Sequence, residues 1–137
     1  KPDHRLGELV TAASARWTQT IDGKEDTYAW IDTGEGVFGF KGGHAATFNT
    51  FAVLVPDAGD NNLKSFELLW SNEPTSGFKS IGKFTTQNMR IMKNPYQEFS
   101  FEPVRAKYLK LRSLGGYGAG GSAAVAYEFR LYGTLDQ

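Results

Sequence analysis

Leu63-Lys64-Ser65-Phe66-Glu67-Leu68-Leu69-Trp70-Ser71 largely alternates apolar with polar residues. A period of two puts alternate side chains on opposite faces of an extended strand, whereas a helix would repeat its apolar residues every three to four positions. The run is therefore a half-buried β-strand. The same alternation returns in Glu98-Phe99-Ser100-Phe101, in Ala106-Lys107-Tyr108-Leu109-Lys110-Leu111-Arg112 and in Tyr127-Glu128-Phe129-Arg130-Leu131-Tyr132. Between such runs lie turn-forming clusters: Pro56-Asp57-Ala58-Gly59-Asp60-Asn61-Asn62, Ser71-Asn72-Glu73-Pro74-Thr75-Ser76-Gly77, Lys93-Asn94-Pro95 and Gly115-Gly116-Tyr117-Gly118-Ala119-Gly120-Gly121. No stretch long enough for a stable helix carries a helical stripe.

Working outward, the pattern predicts about eight antiparallel strands, the number and spacing of a β-sandwich or barrel. They are a piece near Leu9 to Ala13, then Phe38 to Phe40, Thr47 to Val55, Lys64 to Ser71, Lys79 to Phe84, Gln97 to Phe101, Lys107 to Leu111 and Val125 to Tyr132. There is no internal repeat and no linker. With 137 residues and 40% hydrophobic content, the whole of 1–137 suits one domain with its own core. The chain starts at Lys1 rather than methionine, which suits a mature product or a domain excised from a larger protein.

Composition excludes several function classes. Fifteen basic and fifteen acidic residues cancel, so no global field draws in nucleic acid. The longest apolar run, Phe51 to Val55, falls far short of the roughly 20 residues that cross a bilayer as a helix. The absence of cysteine removes disulfides, thiol nucleophiles and thiolate metal sites. Only His4 and His44 carry imidazoles, which leaves no plausible catalytic triad and no histidine metal cluster. The glycine-rich segment around Tyr117 lacks the Lys-Ser/Thr and helix start of a phosphate-binding loop.

If sequential strands run antiparallel, alternate connections gather at opposite ends of the sandwich. Trp30 to Val37, Pro56 to Asn62, Thr85 to Tyr96 and Gly115 to Gly121 then share one end, and Lys41 to His44, Asn72 to Phe78 and Pro103 to Ala106 the other. The first set is longer and richer in aromatic and amide groups, which makes it the candidate binding end. Asp32, Glu35, Asp57 and Asp60 fall there, either as solvated loop acids or as a carboxylate pair of the kind glycoside cleavage needs. Asn61 and Asn62 read either as turn residues or as paired donors and acceptors. Arg90 and Lys93, with Arg16, are the cations that could face an anionic ligand.

Five segments carry a family resemblance. Thr20-Ile21-Asp22-Gly23-Lys24-Glu25-Asp26-Thr27-Tyr28-Ala29-Trp30 resembles the "AIDG-x-x-x-T-x-W" segment of discoidin domains, the coagulation factor V/VIII C-type domains. Leu63 to Ser71 is similar to their "I-K-x-Y-E-L-x-x-S" strand, and Gly77-Phe78-Lys79-Ser80-Ile81-Gly82-Lys83-Phe84 to "G-x-W-x-x-V-G-x-F". Val104-Arg105-Ala106-Lys107-Tyr108-Leu109-Lys110-Leu111 resembles "V-x-A-R-Y-V-R-L", and Tyr127 to Gly133 resembles "A-E-L-E-V-Y-G". Each motif is weak alone, but they occur in the family's order over residues 11 to 133. The resemblance implies a galactose-binding-like, all-β antiparallel sandwich (jelly roll), with bacterial family 32 carbohydrate-binding modules the most similar branch.

The resemblance also implies a function and residues for it. The expected function is a non-catalytic module, not an enzyme, that holds a linked polysaccharide-active enzyme on its glycan. Its partners would be an oligosaccharide or polysaccharide and the linked catalytic domain, and it would be monomeric, secreted and extracellular or on the surface of a bacterial cell. Tyr117 is the expected stacking platform, since a pyranose face packs on an aromatic ring and the phenol can donate a hydrogen bond. Trp30, Asp32, Glu35, Asp57, Asn61, Asn62 and Arg90 complete the candidate set, with core packing the favoured role for Trp30. Asp57 stands where galactose-binding relatives often have an arginine, and no histidine lies between Trp30 and Val37, which argues against galactose. A structural Ca²⁺ is implied at Asp22, Asp26, Thr27 and Glu128, although Lys24 occupies a position that is commonly an aspartate. The rival expectation is an adhesion domain for a protein or an anionic phospholipid surface, with Met89, Ile91 and Met92 as apolar tips.

Overall fold

A computed structural model describes residues 9–11, 17, 20–21, 24, 26–31, 34–55, 62–87, 96–118 and 124–136. The strands are β1 (Leu9–Thr11), β2 (Ala29–Trp30), β3 (Glu35–Phe40), β4 (Ala46–Leu54), β5 (Leu63–Ser71), β6 (Lys79–Thr85), β7 (Tyr96–Ala106), β8 (Tyr108–Gly116), β9 (Val125–Ala126) and β10 (Phe129–Leu135). They form a five-stranded sheet in the order β1-β3-β8-β5-β6, a three-stranded sheet in the order β10-β4-β7, and a two-stranded ribbon of β2 and β9. Every strand pair is antiparallel. The expected antiparallel sandwich is the fold observed.

Register explains why the alternating runs became these strands. Phe66 pairs with Ser113 and Phe84, and Leu68 with Leu111, so one face of the large sheet is buried. Phe51 pairs with Leu131 on one side and Phe99 on the other, which gives the small sheet its apolar face. Where the faces meet, rings interlock: Phe51 lies 5.1 Å from Phe129 and 5.7 Å from Phe66, and Phe66 meets Phe99 edge-on at 5.3 Å. A one-residue slip in any of these strands would turn its rings to water.

Several element boundaries differ from the sequence reading, each for a visible reason. β7 runs on through Pro103 because it is the edge of its sheet, where a missing N–H costs no ladder bond. Pro103 also sits where the β4–β7 register slips, between the pairs Thr50↔Ser100 and Phe48↔Val104. Gly115 and Gly116 belong to β8, not to a loop, and pair with Ser65 and Leu63. Gly115 has φ 136°, a conformation that favours glycine at a strand that must bend away. The expected last strand is split into β9 and β10, and the two-residue β2 was not foreseen.

The connections emerge as alternation predicts. Leu54 pairs with Tyr96, Ser65 with Thr85, Leu63 with Gly116 and Glu35 with Arg112. The end of β4, the start of β5, the end of β6, the start of β7 and the end of β8 therefore share one end with the start of β3. The turn at Lys41–His44 and the 72–78 connection lie at the other.

Candidate functional site

Tyr117 sits at the loop end, but it is clasped rather than held out. Its N–H donates to the carbonyl of Asn62 (3.1 Å), and its phenol donates to the carbonyl of Thr86, with the Thr86 hydroxyl 3.2 Å away. Thr86 is itself fixed, since Oγ1 donates to the Leu63 carbonyl (2.7 Å) and its N–H to the Lys64 carbonyl (2.8 Å). The side chain thus reaches past the start of β5 to the end of β6, half-buried, with Lys64 Nζ 5.7 Å from its ring centroid. The expectation of a freely displayed platform with a spare phenol is corrected: the hydroxyl is used within the fold.

Trp30 is the second correction. It is 44% exposed, while Trp17 is 1% exposed and fills the core position. Around Trp30 the exposure alternates strictly, with Tyr28 outside, Ala29 and Ile31 inside. Because all four residues are apolar, the sequence alone did not show which of them face outward. β2 sets Trp30 opposite Val125, and Val125 bridges Asn62 at the start of β5. The backbones of Trp30, Val125, Asn62 and Tyr117 are therefore linked in that order at one end of the sandwich, with Val125 between Trp30 and Asn62.

Asn62 is buried and its carbonyl accepts from Tyr117, so its backbone serves the clasp. Glu35 lies elsewhere than expected, on the outer face of the large sheet. Its Oε2 accepts from Arg112 Nε (2.8 Å) and its Oε1 lies 3.6 Å from Lys110 Nζ. Arg112 also reaches Glu67 Oε1 (3.0 Å), whose other oxygen accepts from Ser80 Oγ (2.7 Å). The Arg112 hydrogen bond holds the Glu35 carboxyl below the usual carboxylate range against an opposing push from burial, and Glu35 in turn raises Arg112. Glu35 is therefore an ion-pair residue, not a loop acid available to a sugar.

The sequence reading missed a reciprocal amide clamp. Gln87 N–H donates to Gln97 Oε1 (2.7 Å), and Gln97 Nε2 donates back to the Gln87 carbonyl (2.6 Å). It ties the exit of β6 to the entry of β7 at the base of the connection that carries Arg90. Also missed were Tyr28 and Tyr127, whose rings lie 5.5 Å apart on the β2–β9 ribbon. Asp32, Asp57, Asn61 and Arg90 lie outside the described residues, as do Arg16, Asp60, Met89, Ile91, Met92 and Lys93.

For calcium, Asp22 lies outside the described residues, Asp26 is exposed, Thr27 is half-buried and Glu128 is buried. Among the described residues no group of three or more His, Cys, Asp or Glu comes together. Two carboxylates and a hydroxyl fall short of the six to eight oxygens that calcium takes. No helix among the described residues is long and apolar enough to cross a membrane.

Solved structures share this architecture over nearly the whole chain. The third family 32 module of a family 31 glycoside hydrolase from Clostridium perfringens superposes with a TM-score of 0.76 at 16% identity, covering 96% of both chains. The chain has the fold of a family 32 carbohydrate-binding module. The family 32 module of NanJ from the same organism, solved with galactose, gives a TM-score of 0.68 at 15% identity, over 93% of this chain and 97% of that one. The family 32 module of AlyQ, solved with 4,5-unsaturated mannuronic acid, gives 0.64 at 16% identity, over 94% and 96%. No protein-family model matches the chain, and no curated protein matches it by sequence. At these identities the likeness is one of fold.

Proposed function

We propose that this domain is a non-catalytic carbohydrate-binding module that keeps a linked polysaccharide-active enzyme on its glycan, outside a bacterial cell. The observation that carries the reading is the exposed Trp30 indole at the end that also holds Asn62 and Tyr117, one strand removed from Asn62 through Val125, in a sandwich shaped like known sugar-binding modules. An exposed indole offers a flat apolar face to the C–H groups of a pyranose. Tyr117 contributes a fixed ring wall rather than a hydroxyl. Asp32, Asp57, Asn61 and Arg90, on the connections of the same end, supply the polar contacts in this proposal.

Similar folds hold a neutral sugar in one case and an acidic sugar in another. Lys64, exposed beside Tyr117, favours the acidic class here, because a charge-assisted contact would then be available at the site. Such a shallow site binds weakly, in the millimolar to micromolar range by order of magnitude, and gains through repeated engagement of a polymer. A structural calcium near Glu128 belongs to the same proposal, with Asp22 and backbone carbonyls completing the shell.

A glycan and polysaccharide array, run on the folded domain with calcium and with EDTA, tests the reading. Binding to one sugar class, strongest for uronic or sulfated polymers, is the expected outcome. Silence across the array would turn the assignment towards a protein or phospholipid partner.

A further inference from the structure

The β2–β9 ribbon is built inside out. Its own inward residues are the small Ala29 and Ala126, with Ile31 and Ala124 buried beside them, whereas Trp30 and the flanking Tyr28 are exposed and Val125 and the flanking Tyr127 half-buried. A ribbon that served only the core would place its large apolar side chains inward, since their burial is what stabilises a small domain. Here two rings, Tyr28 and Trp30, stay exposed and Tyr127 is half-buried. Tyr28 is 54% exposed and Trp30 44%, two of the three exposed large apolar residues in the described structure. The register Ala29↔Ala126 and Trp30↔Val125 sets Tyr28 opposite Tyr127, and their rings pack 5.5 Å apart at 51°.

We infer that this aromatic strip is an extension of the sugar site that takes further units of the same glycan chain, so that the ligand is an oligosaccharide segment rather than a single terminal sugar. The inference rests on the proposed glycan-binding reading. Tyr28 and Trp30 are two positions apart on one strand, hence about 6.6–6.8 Å along one face. That spacing is comparable with the step from one pyranose to the next. Trp30 is the shared member: at the loop end it pairs with Val125, whose other side bridges Asn62, and from there the strip runs along the ribbon to the tyrosine pair. Continuity with the loop end argues for a sugar chain as the occupant. The tyrosines offer ring faces and phenol hydroxyls together, and an oligosaccharide presents both C–H faces and hydroxyls.

The test is calorimetric titration with chito-, galacto- and mannuronate oligosaccharides, from monosaccharide to hexasaccharide, against the wild-type domain and the Tyr28→Ala, Tyr127→Ala and Tyr28→Phe variants. The expected result is a wild-type affinity that rises about tenfold with chain length, the value of one added ring contact. Tyr28→Ala should lose that gain and keep the monosaccharide affinity, and Tyr28→Phe, which keeps the ring, should retain the gain. Affinity independent of length in the wild type, or a gain that survives both alanine substitutions in folded protein, would overturn the strip while leaving the loop-end site standing. No binding at any length would overturn both.

Discussion

Trp17 gives up nearly all of its exposure to meet Phe38 edge-on at 6.0 Å and Phe129 at 6.4 Å, and Gly36 is what admits it. A Cβ on Gly36 would run into the six-membered ring of Trp17, so even Gly36→Ala should overpack the core by about 1–3 kcal/mol. Trp17→Ala should cost about 3–5 kcal/mol. Trp30→Ala, at an exposed ribbon position, should stay within about 0.5 kcal/mol of wild type. Urea unfolding of the three variants checks all of this, and a large loss for Trp30→Ala would return that residue to the core. Trp30 was assigned to the core from sequence because that is the usual role of the tryptophan at this motif position. Tyr28-Ala29-Trp30-Ile31 is apolar throughout and short, so its inside–outside alternation appears only in the folded chain.

At the scale of elements, the clasp between β8 and β6 fixes Tyr117, which had read as a residue held out for a ligand on a turn-forming glycine cluster. Tyr117→Phe leaves the buried Thr86 carbonyl without its phenol donor, so stability should fall by about 1–3 kcal/mol, while glycan affinity changes less than about threefold because the ring remains. Parallel melting and titration separate the two effects. Glycine content could not disclose that Gly115 and Gly116 were strand residues, since only the pairing with β5 fixes their place.

The ion pairs across β3, β8 and β5 make a pH prediction. The Glu35 carboxyl is depressed in the folded state, so its contribution is complete above the titration of an unfolded glutamate, about pH 4.3, and is lost as pH falls through the lower folded value. Because Glu35 is 44% exposed in its side chain, solvent screening keeps the contribution below about 1 kcal/mol. Glu35→Gln should therefore melt slightly below wild type at pH 7 and converge with it near pH 3. A gap that widens on acidification would contradict the assignment. Glu35 was placed in a loop from sequence because the start of β3 lay beyond the run that alternation made visible.

For the whole molecule, period two and turn chemistry predicted an antiparallel sandwich or barrel and sorted its connections to the two ends, because both follow from chain reversal at each turn, while the choice of a sandwich came from the family resemblance. Which residues gather at the loop end was not legible in the same way, since Trp30 and Asn62 are linked only through Val125 of the short β9. The calcium expectation also belongs to this scale, as a ligand that binds only the folded state raises its stability. At a hundredfold excess over the dissociation constant the gain is about 2.7 kcal/mol. Melting in millimolar calcium should exceed melting in EDTA by several degrees, and identical curves would remove the ion from the proposal.

The most direct test of the central claim is to titrate the wild-type domain and Trp30→Ala side by side with the polysaccharide that the array selects. The account predicts saturable wild-type binding, weakened about tenfold or more in the variant at unchanged thermal stability, the size expected of one lost aromatic contact. Equal affinity of the two folded proteins would contradict it.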